Sequence, residues 1–292
     1  QGNAFHESIV DAWFMSGYAN GDSPASIRGV KGNELQLRNF AYALDSGFGK
    51  YTVNWDSFYG SNGVNANFTN SDSVIHLTEI LVADGKFLQT NADGTIEACQ
   101  IKVEGITDDI KLRYVSYAED GTGTYTYLKN GINNLPISYK KYTGFAASVV
   151  GTCNITITQL PSAYEGALVF DGVDDYGICT RLPIMTDYTV ICRRVLENNA
   201  NNVVASKSIK IGNGAFIFEY GNNATYSFSE YASIGQNINL EDFVSYQTKN
   251  SYNGSTITVG NADDTDTLTL GIIREGDSKL LKGAIYYFAL YN

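Results

Sequence analysis

Apolar and polar side chains alternate in short runs along most of this chain. DIKLRYVSYA, residues 109–118, is representative: Ile110, Leu112, Tyr114 and Ser116 fall on one face. A period of two belongs to strands, not helices. Clusters of Gly, Asn and Asp, such as NADGT at 91–95, cut the runs into short pieces. Many short strands separated by turn signals restrict the chain to an all-β sandwich or barrel. The composition agrees, with 21 Tyr, 29 Gly and only 4 Pro in 292 residues.

At 43% apolar residues the chain has enough to bury more than one core. Its formal net charge of −11 argues against nucleic-acid binding, which needs a cationic surface to displace counterions. It also disfavours anionic membrane surfaces. No apolar run approaches the roughly 20 residues of a membrane span, so no membrane insertion is expected. The chain starts at Gln1 rather than Met, as a processed product or a portion of a longer protein does. Cys99, Cys153, Cys179 and Cys192 form no CxxC pair, which disfavours a zinc or redox motif. Cys153 and Cys192 stand in strand-like runs and read as small buried hydrophobes, with disulfides left open.

Three regions are expected. Residues 1–95 form an N-terminal anchoring and assembly region with one short helix. Phe5, Ile9 and Trp13 are four apart in QGNAFHESIVDAWFMSGYAN, which stacks them on one helical face, with Asn3 as cap. Phe5, Ile9, Trp13 and Phe14 are the expected assembly contacts. Residues 96–161 read as a small antiparallel β-sandwich closed by Pro161. Residues 162–292 give further strands at short intervals, again all-β.

Catalytic signals are sparse. His6 and His76 lie far apart in sequence, and a triad or histidine metal site needs several converging groups. Paired acids alternating on one strand face, as a glycosidase needs, do not occur. Asp171, Asp174 and Asp175 form one acidic cluster and Asp263, Asp264 and Asp266 another; both flank turn residues. Turn chemistry, calcium and catalysis are the three readings, in that order. The set Asp263, Asp264 and Asp266 is the better calcium candidate; no other cofactor is expected. In AFIFEYGNNATYSFSEY, Phe216, Phe218 and Tyr220 are expected on one face of a hairpin strand and Tyr226 and Phe228 on one face of the next. A core face explains them, and so does a sugar-stacking plate built from Tyr220, Asn222, Asn223, Tyr226 and Tyr231.

GALVFDGVDDYG (166–177), YTVICRRV (188–195) and LKGAIYYFALYN (281–292) resemble the concanavalin A-like lectin/glucanase superfamily, in particular its laminin-G-like members. The resemblance implies a jelly-roll sandwich over 162–292, with Phe170 and Tyr176 pointing inward around an Asp-Gly turn. The tryptophan and histidine of the family's middle strand pair are missing from EDFVSYQTKNSYNGSTITVG, and so is the acidic motif of its glucanases. DAWFMSGYANGDSP and NELQLRNFAYALDSGFGKY resemble segments of virion surface proteins from crAss-like and other gut Bacteroidota phages. Together the two resemblances imply a non-enzymatic fibre, decoration or adhesin protein on a virion surface. Its partners would be other virion proteins or further copies of itself, and a host-surface or mucus glycan. The rivals are a purely structural capsid or fibre subunit, and a bacterial cell-surface carbohydrate-binding protein.

Overall fold

The computed structural model describes residues 8–71, 73–198, 202–208, 214–261, 263, 265–274 and 276–292. The protein is mainly β, with 51% of residues in strands. Its described helical pieces are two single 3-10 turns, Asn20–Asp22 and Trp55–Ser57. None of the described helices is long and apolar enough to cross a membrane.

The chain divides differently from the expected three regions. Residues up to Gly49 combine with Tyr164–Asn292 in one unit, and Lys50–Ala163 forms the second. The boundary expected at 95/96 falls inside a sheet. Val74–Ile80 lies beside Gly151–Gln159, which also pairs with Cys99–Glu104.

The second unit consists of two five-stranded sheets. One runs Gly123–Tyr127, Leu112–Tyr117, Gly144–Ala147, Lys86–Gln89, Tyr59–Gly60, and the other Gly131–Leu135, Cys99–Glu104, Gly151–Gln159, Val74–Ile80, Ala66–Asn70. Alternation delivers the core directly. Cys99, Ile101 and Val103 point in while Gln100, Lys102 and Glu104 point out. Trp55 is buried edge-on to Phe58 and Phe145, each with its ring 5.3 Å away. The buried Gln159 side chain takes the N–H of Val53 at 3.0 Å and donates to its carbonyl at 2.6 Å. That satisfies backbone groups no strand pairs.

The first unit has two eight-stranded sheets. In one, Lys282–Tyr291 is the central strand. Thr189–Leu196 pairs along one of its edges. The other edge is shared: Ala163–Asp171 pairs with Lys282 to Ile285, and Ile9–Phe14 with Tyr287 to Tyr291. Phe243–Thr248, Ser251–Tyr252 and Ser255–Thr256 extend the sheet beyond Thr189–Leu196, and Gly47–Lys50 lies beyond Ala163–Asp171. The other sheet runs Ser26–Arg28, Glu34–Arg38, Tyr176–Cys179, Leu268–Leu270, Val203–Lys207, Phe216–Tyr220, Ala224–Ser227, Glu230–Ser233. Trp13, Phe170, Val190, Cys192 and Phe288 from the first sheet meet Ile27, Leu35, Phe216, Phe218 and Leu270 from the second in one core.

The helix expected near the N-terminus is therefore a strand over Ile9–Phe14. IVDAWF is rich in β-branched and aromatic residues, and the edge of Lys282–Tyr291 accepts its backbone groups; pairing overrides the four-residue spacing. Asp11, fully buried, ties this strand to the hairpin of Ser26–Arg28 and Glu34–Arg38. Its Oδ1 accepts the Lys31 N–H at 2.8 Å and its Oδ2 the Asn33 N–H at 2.9 Å. The carboxylate lies so close to Gly29 that a Cβ there would sit 2.3 Å from Oδ1.

Candidate functional site

The hairpin strands 216–231 build an aromatic file, although not with the faces that simple alternation assigns. Phe216 and Phe218 are buried in the main core. The backbone then turns left-handed at Glu219, with φ 53°, and the register slips between Ile217 and Tyr220. This bulge sends Glu219 inward and leaves Tyr220 on the opposite face, packed with Ile217 and Tyr226. Phe228, expected on the same face as Tyr226, belongs to the core instead.

Tyr220, Tyr226 and Tyr231 nevertheless converge. The Tyr220 and Tyr226 rings are 5.6 Å apart at 85°, and the Tyr226 and Tyr231 rings 5.4 Å apart at 76°. Both are edge-to-face contacts, favoured by the ring quadrupole. Tyr231 is 49% exposed and ends the file. At the other end the Lys279 ammonium lies 5.0 Å from the Tyr220 ring. Burial, followed by the neighbouring Tyr220 and Tyr231, holds the Tyr226 phenol above its ordinary value. Asn222 and Asn223 form the exposed turn after Tyr220. Their carbonyls accept the N–H groups of Ile238 at 2.7 Å and Ile234 at 2.8 Å, which fixes the turn beside the rings.

Two open clefts lie elsewhere on the same unit. One, of about 390 Å3, is lined by Asp187, Thr189, Thr248, Lys249, Asn250 and Tyr291 among others. The other, of about 370 Å3, is lined by Met185, Phe228, Lys249, Asn261 and Asp263 among others. Lys249 borders both and pairs with Asp187 at 3.1 Å. None of the five expected ligand residues lines either cleft.

The expected assembly residues are divided by the fold. Phe5 lies outside the described residues. Trp13 is fully buried against Phe288, with ring centroids 6.3 Å apart, so it serves the core and cannot serve as an outward anchor. Ile9 is half-buried opposite Tyr291, and Phe14 stays 50% exposed beside Tyr287.

Asp263 does not turn toward Asp266 to share an ion, and Asp264 lies outside the described residues. The Asp263 carboxylate is contacted by the Lys207 ammonium and accepts the Met185 N–H at 2.8 Å. An ammonium already occupies the place a cation would take. Asp266 is exposed, with Oδ1 accepting the Thr267 hydroxyl at 3.0 Å. Among the described residues, the acidic group close enough to share an ion is Asp171, Asp174 and Asp175, with carboxylate oxygens within 4.8 Å.

That group performs turn chemistry. Asp171 Oδ1 accepts the Val173 N–H at 2.7 Å, and Gly172 takes φ 80° with Lys282 beneath it. Asp175 is buried and accepts the Ser46 hydroxyl at 3.0 Å and the Asp171 N–H at 3.1 Å. Burial raises its carboxyl to about 7 against the pull of those hydrogen bonds. Phe170 enters the core against Phe40 at 5.3 Å, and Tyr176 is buried. The described histidine, His76, shares a hydrogen bond with the Thr156 hydroxyl. All four cysteines are free. Burial pushes the Cys99 and Cys179 thiols up to about 12 and Cys192 well above its usual value, so these three behave as hydrophobes rather than nucleophiles.

Alternation did not reveal the polar groups inside the sandwich. Arg194 and Glu219, both fully buried, bridge the two sheets through paired bonds of 2.7 and 2.6 Å. Tyr252 donates to the same carboxylate at 2.7 Å. Burial pulls the Arg194 guanidinium down, but Glu219 outweighs it and holds the group above its ordinary value. The signal was in the sequence. Adjacent arginines in an alternating strand force one inward; Arg193 faces out, paired with Asp242 at 2.9 and 2.7 Å. No family model, curated protein or solved structure matches the chain.

Proposed function

We propose that this chain is a non-enzymatic surface protein of a virion, a fibre, decoration or adhesin component, that contacts host or mucus glycans through its split sandwich. The observation that carries the ligand half is the file of Tyr220, Tyr226 and Tyr231, with the exposed turn of Asn222 and Asn223 at its end. A sugar ring has an apolar face that stacks on an aromatic and polar edges that need amides or hydroxyls. The exposed Tyr231 ring, held edge-to-face by the half-buried Tyr226 and Tyr220 behind it, offers the first at little cost in side-chain entropy, and the asparagine turn supplies the second. The virion half rests on the motifs at 11–24 and 33–51. Other virion proteins or further copies of the chain are its proposed partners there, and exposed Phe14 is the assembly contact the fold leaves available. No cofactor is required by this reading.

The test is a glycan panel probed with the full chain and with Tyr231→Ala and Tyr226→Ala. Each substitution should weaken binding about tenfold or more, the equivalent of about 1.4 kcal/mol. Binding lost in Lys249→Ala but kept in both tyrosine variants would move the site to the clefts. No binding to any glycan, with a stable oligomer by light scattering, would favour the purely structural subunit. Mass spectrometry of purified phage particles and of host envelope fractions tests the location. Recovery only from envelopes would favour a bacterial surface glycan-binding protein.

A further inference from the structure

Lys207 and Asp263 take no part in that reading, and their chemistry allows more than an ion pair. Lys207 ends the strand Val203–Lys207, and Asp263 precedes Leu268–Leu270, the strand beside it. The two side chains are 56 residues apart in sequence and both fully out of water. Lys207 Nζ contacts Asp263 Oδ2 and the Thr265 carbonyl. Both carboxyl oxygens of Asp263 also meet backbone donors: Met185 N–H reaches Oδ2 at 2.8 Å and Thr265 N–H reaches Oδ1 at 3.2 Å. The result is an amine and a carboxyl carbon side by side, with N–H donors polarising the carboxyl group. Arg194 and Glu219 are equally buried, but a guanidinium keeps its proton and has no nucleophilic lone pair to offer.

We propose that Lys207 and Asp263 condense into an intramolecular isopeptide bond. The reacting forms are the free amine and the carboxylic acid, reached by passing one proton from Nζ to Oδ2. The nitrogen lone pair then attacks Cγ, and the negative charge that develops on Oδ1 is met by the Thr265 N–H. The Cγ–Oδ2 bond breaks, Oδ2 takes a second proton from the attacking nitrogen, and it leaves as water. One C–N bond forms, one C–O bond breaks, and no oxidant, reductant or cofactor enters. A dry site helps twice: it exposes the amine lone pair, and the amide replaces two ions whose burial is costly. A cleft of about 370 Å3, lined in part by Met185 and Asp263, lies next to the pair.

The intact mass of the denatured full chain reads this directly. The expected species is lighter than the sequence mass by one water. Proteolysis should yield a branched peptide joining the segments around Lys207 and Asp263, with no tryptic cut after Lys207. Lys207→Arg keeps the charge but cannot condense, and should show its full mass. Asp263→Asn can condense by losing ammonia, and would then match the mass of the linked parent. Cyclisation of Gln1 removes ammonia rather than water and gives no branched peptide, so it cannot mimic the result. Folded parent protein found only at full sequence mass, and cut after Lys207, overturns the proposal whatever the variants do.

Discussion

Asp175 illustrates how one residue carries a pH dependence for the whole fold. Its carboxyl ionises near 3.8 in the unfolded chain and near 7 when buried. A raised folded value means that the contribution is fully present below about pH 4 and is lost as the pH climbs toward 7. The loss across that window is about 4 kcal/mol at most. Asp175→Asn keeps an acceptor for the Asp171 N–H and a group that can bond Ser46, so it should fold. Urea unfolding between pH 4 and 8 should show the parent losing stability relative to this variant as pH rises; parallel profiles would refute the assignment. Arg194 makes a second test. Arg194→Met leaves Glu219 buried without its partner and should cost about 3–5 kcal/mol. Removing both charges, with Arg194→Met and Glu219→Leu together, should cost less than the single change. Metal is expected to matter little, because Asp171 Oδ1 and both oxygens of Asp175 already accept hydrogen bonds from Val173, Asp171 and Ser46. Adding calcium or a chelator should leave Tm unchanged, and a calcium-dependent rise abolished by Asp171→Asn would instead assign an ion to that turn.

At the scale of elements, the strand Ile9–Phe14 carries the sharpest expectation. Trp13→Ala should destabilise the first unit by about 3–5 kcal/mol, the usual cost of emptying a large aromatic site. A fragment limited to residues 162–292 should fail to fold alone, because it lacks strands from both sheets. Dispersed amide signals from that fragment would refute this. Alternation made many strands legible: Cys99–Glu104 and Thr189–Leu196 follow it throughout, while Leu112–Tyr117 departs from it where Val115 is buried beside Tyr114 and Ser116. It failed where the backbone breaks period. The left-handed turn at Glu219 has no glycine to announce it, and it moves Tyr220 to the other face. The spacing of four at the N-terminus does not distinguish helix from strand, because residues four apart share a face in both, and the partner of Ile9–Phe14 lies nearly the whole chain away. Tyr220, Tyr226 and Tyr231 meet because three neighbouring strands carry them, whichever face each residue takes. The clefts and the Lys207–Asp263 contact were illegible because each joins segments that no local pattern connects.

For the whole molecule, the second unit is an insertion. The first unit leaves off at Gly49 and resumes at Tyr164, on strands that neighbour each other in one sheet. Replacing residues 51–162 with a short glycine-serine linker should therefore yield a folded first unit, and Lys50–Ala163 expressed alone should fold around its own core. Circular dichroism and one cooperative melt from each piece would bear this out; a molten piece would show that the units need each other. Nesting also sets an order of events during synthesis. The hairpin Ser26–Arg28 and Glu34–Arg38 leaves the ribosome well before its neighbour Tyr176–Cys179, which follows the whole insertion, and before the central strand Lys282–Tyr291. At about 5–20 residues per second the N-terminal strand waits on the order of ten seconds or more for its partner. During that interval the inserted unit is free to complete itself, while the exposed IVDAWF segment is a natural client for a chaperone.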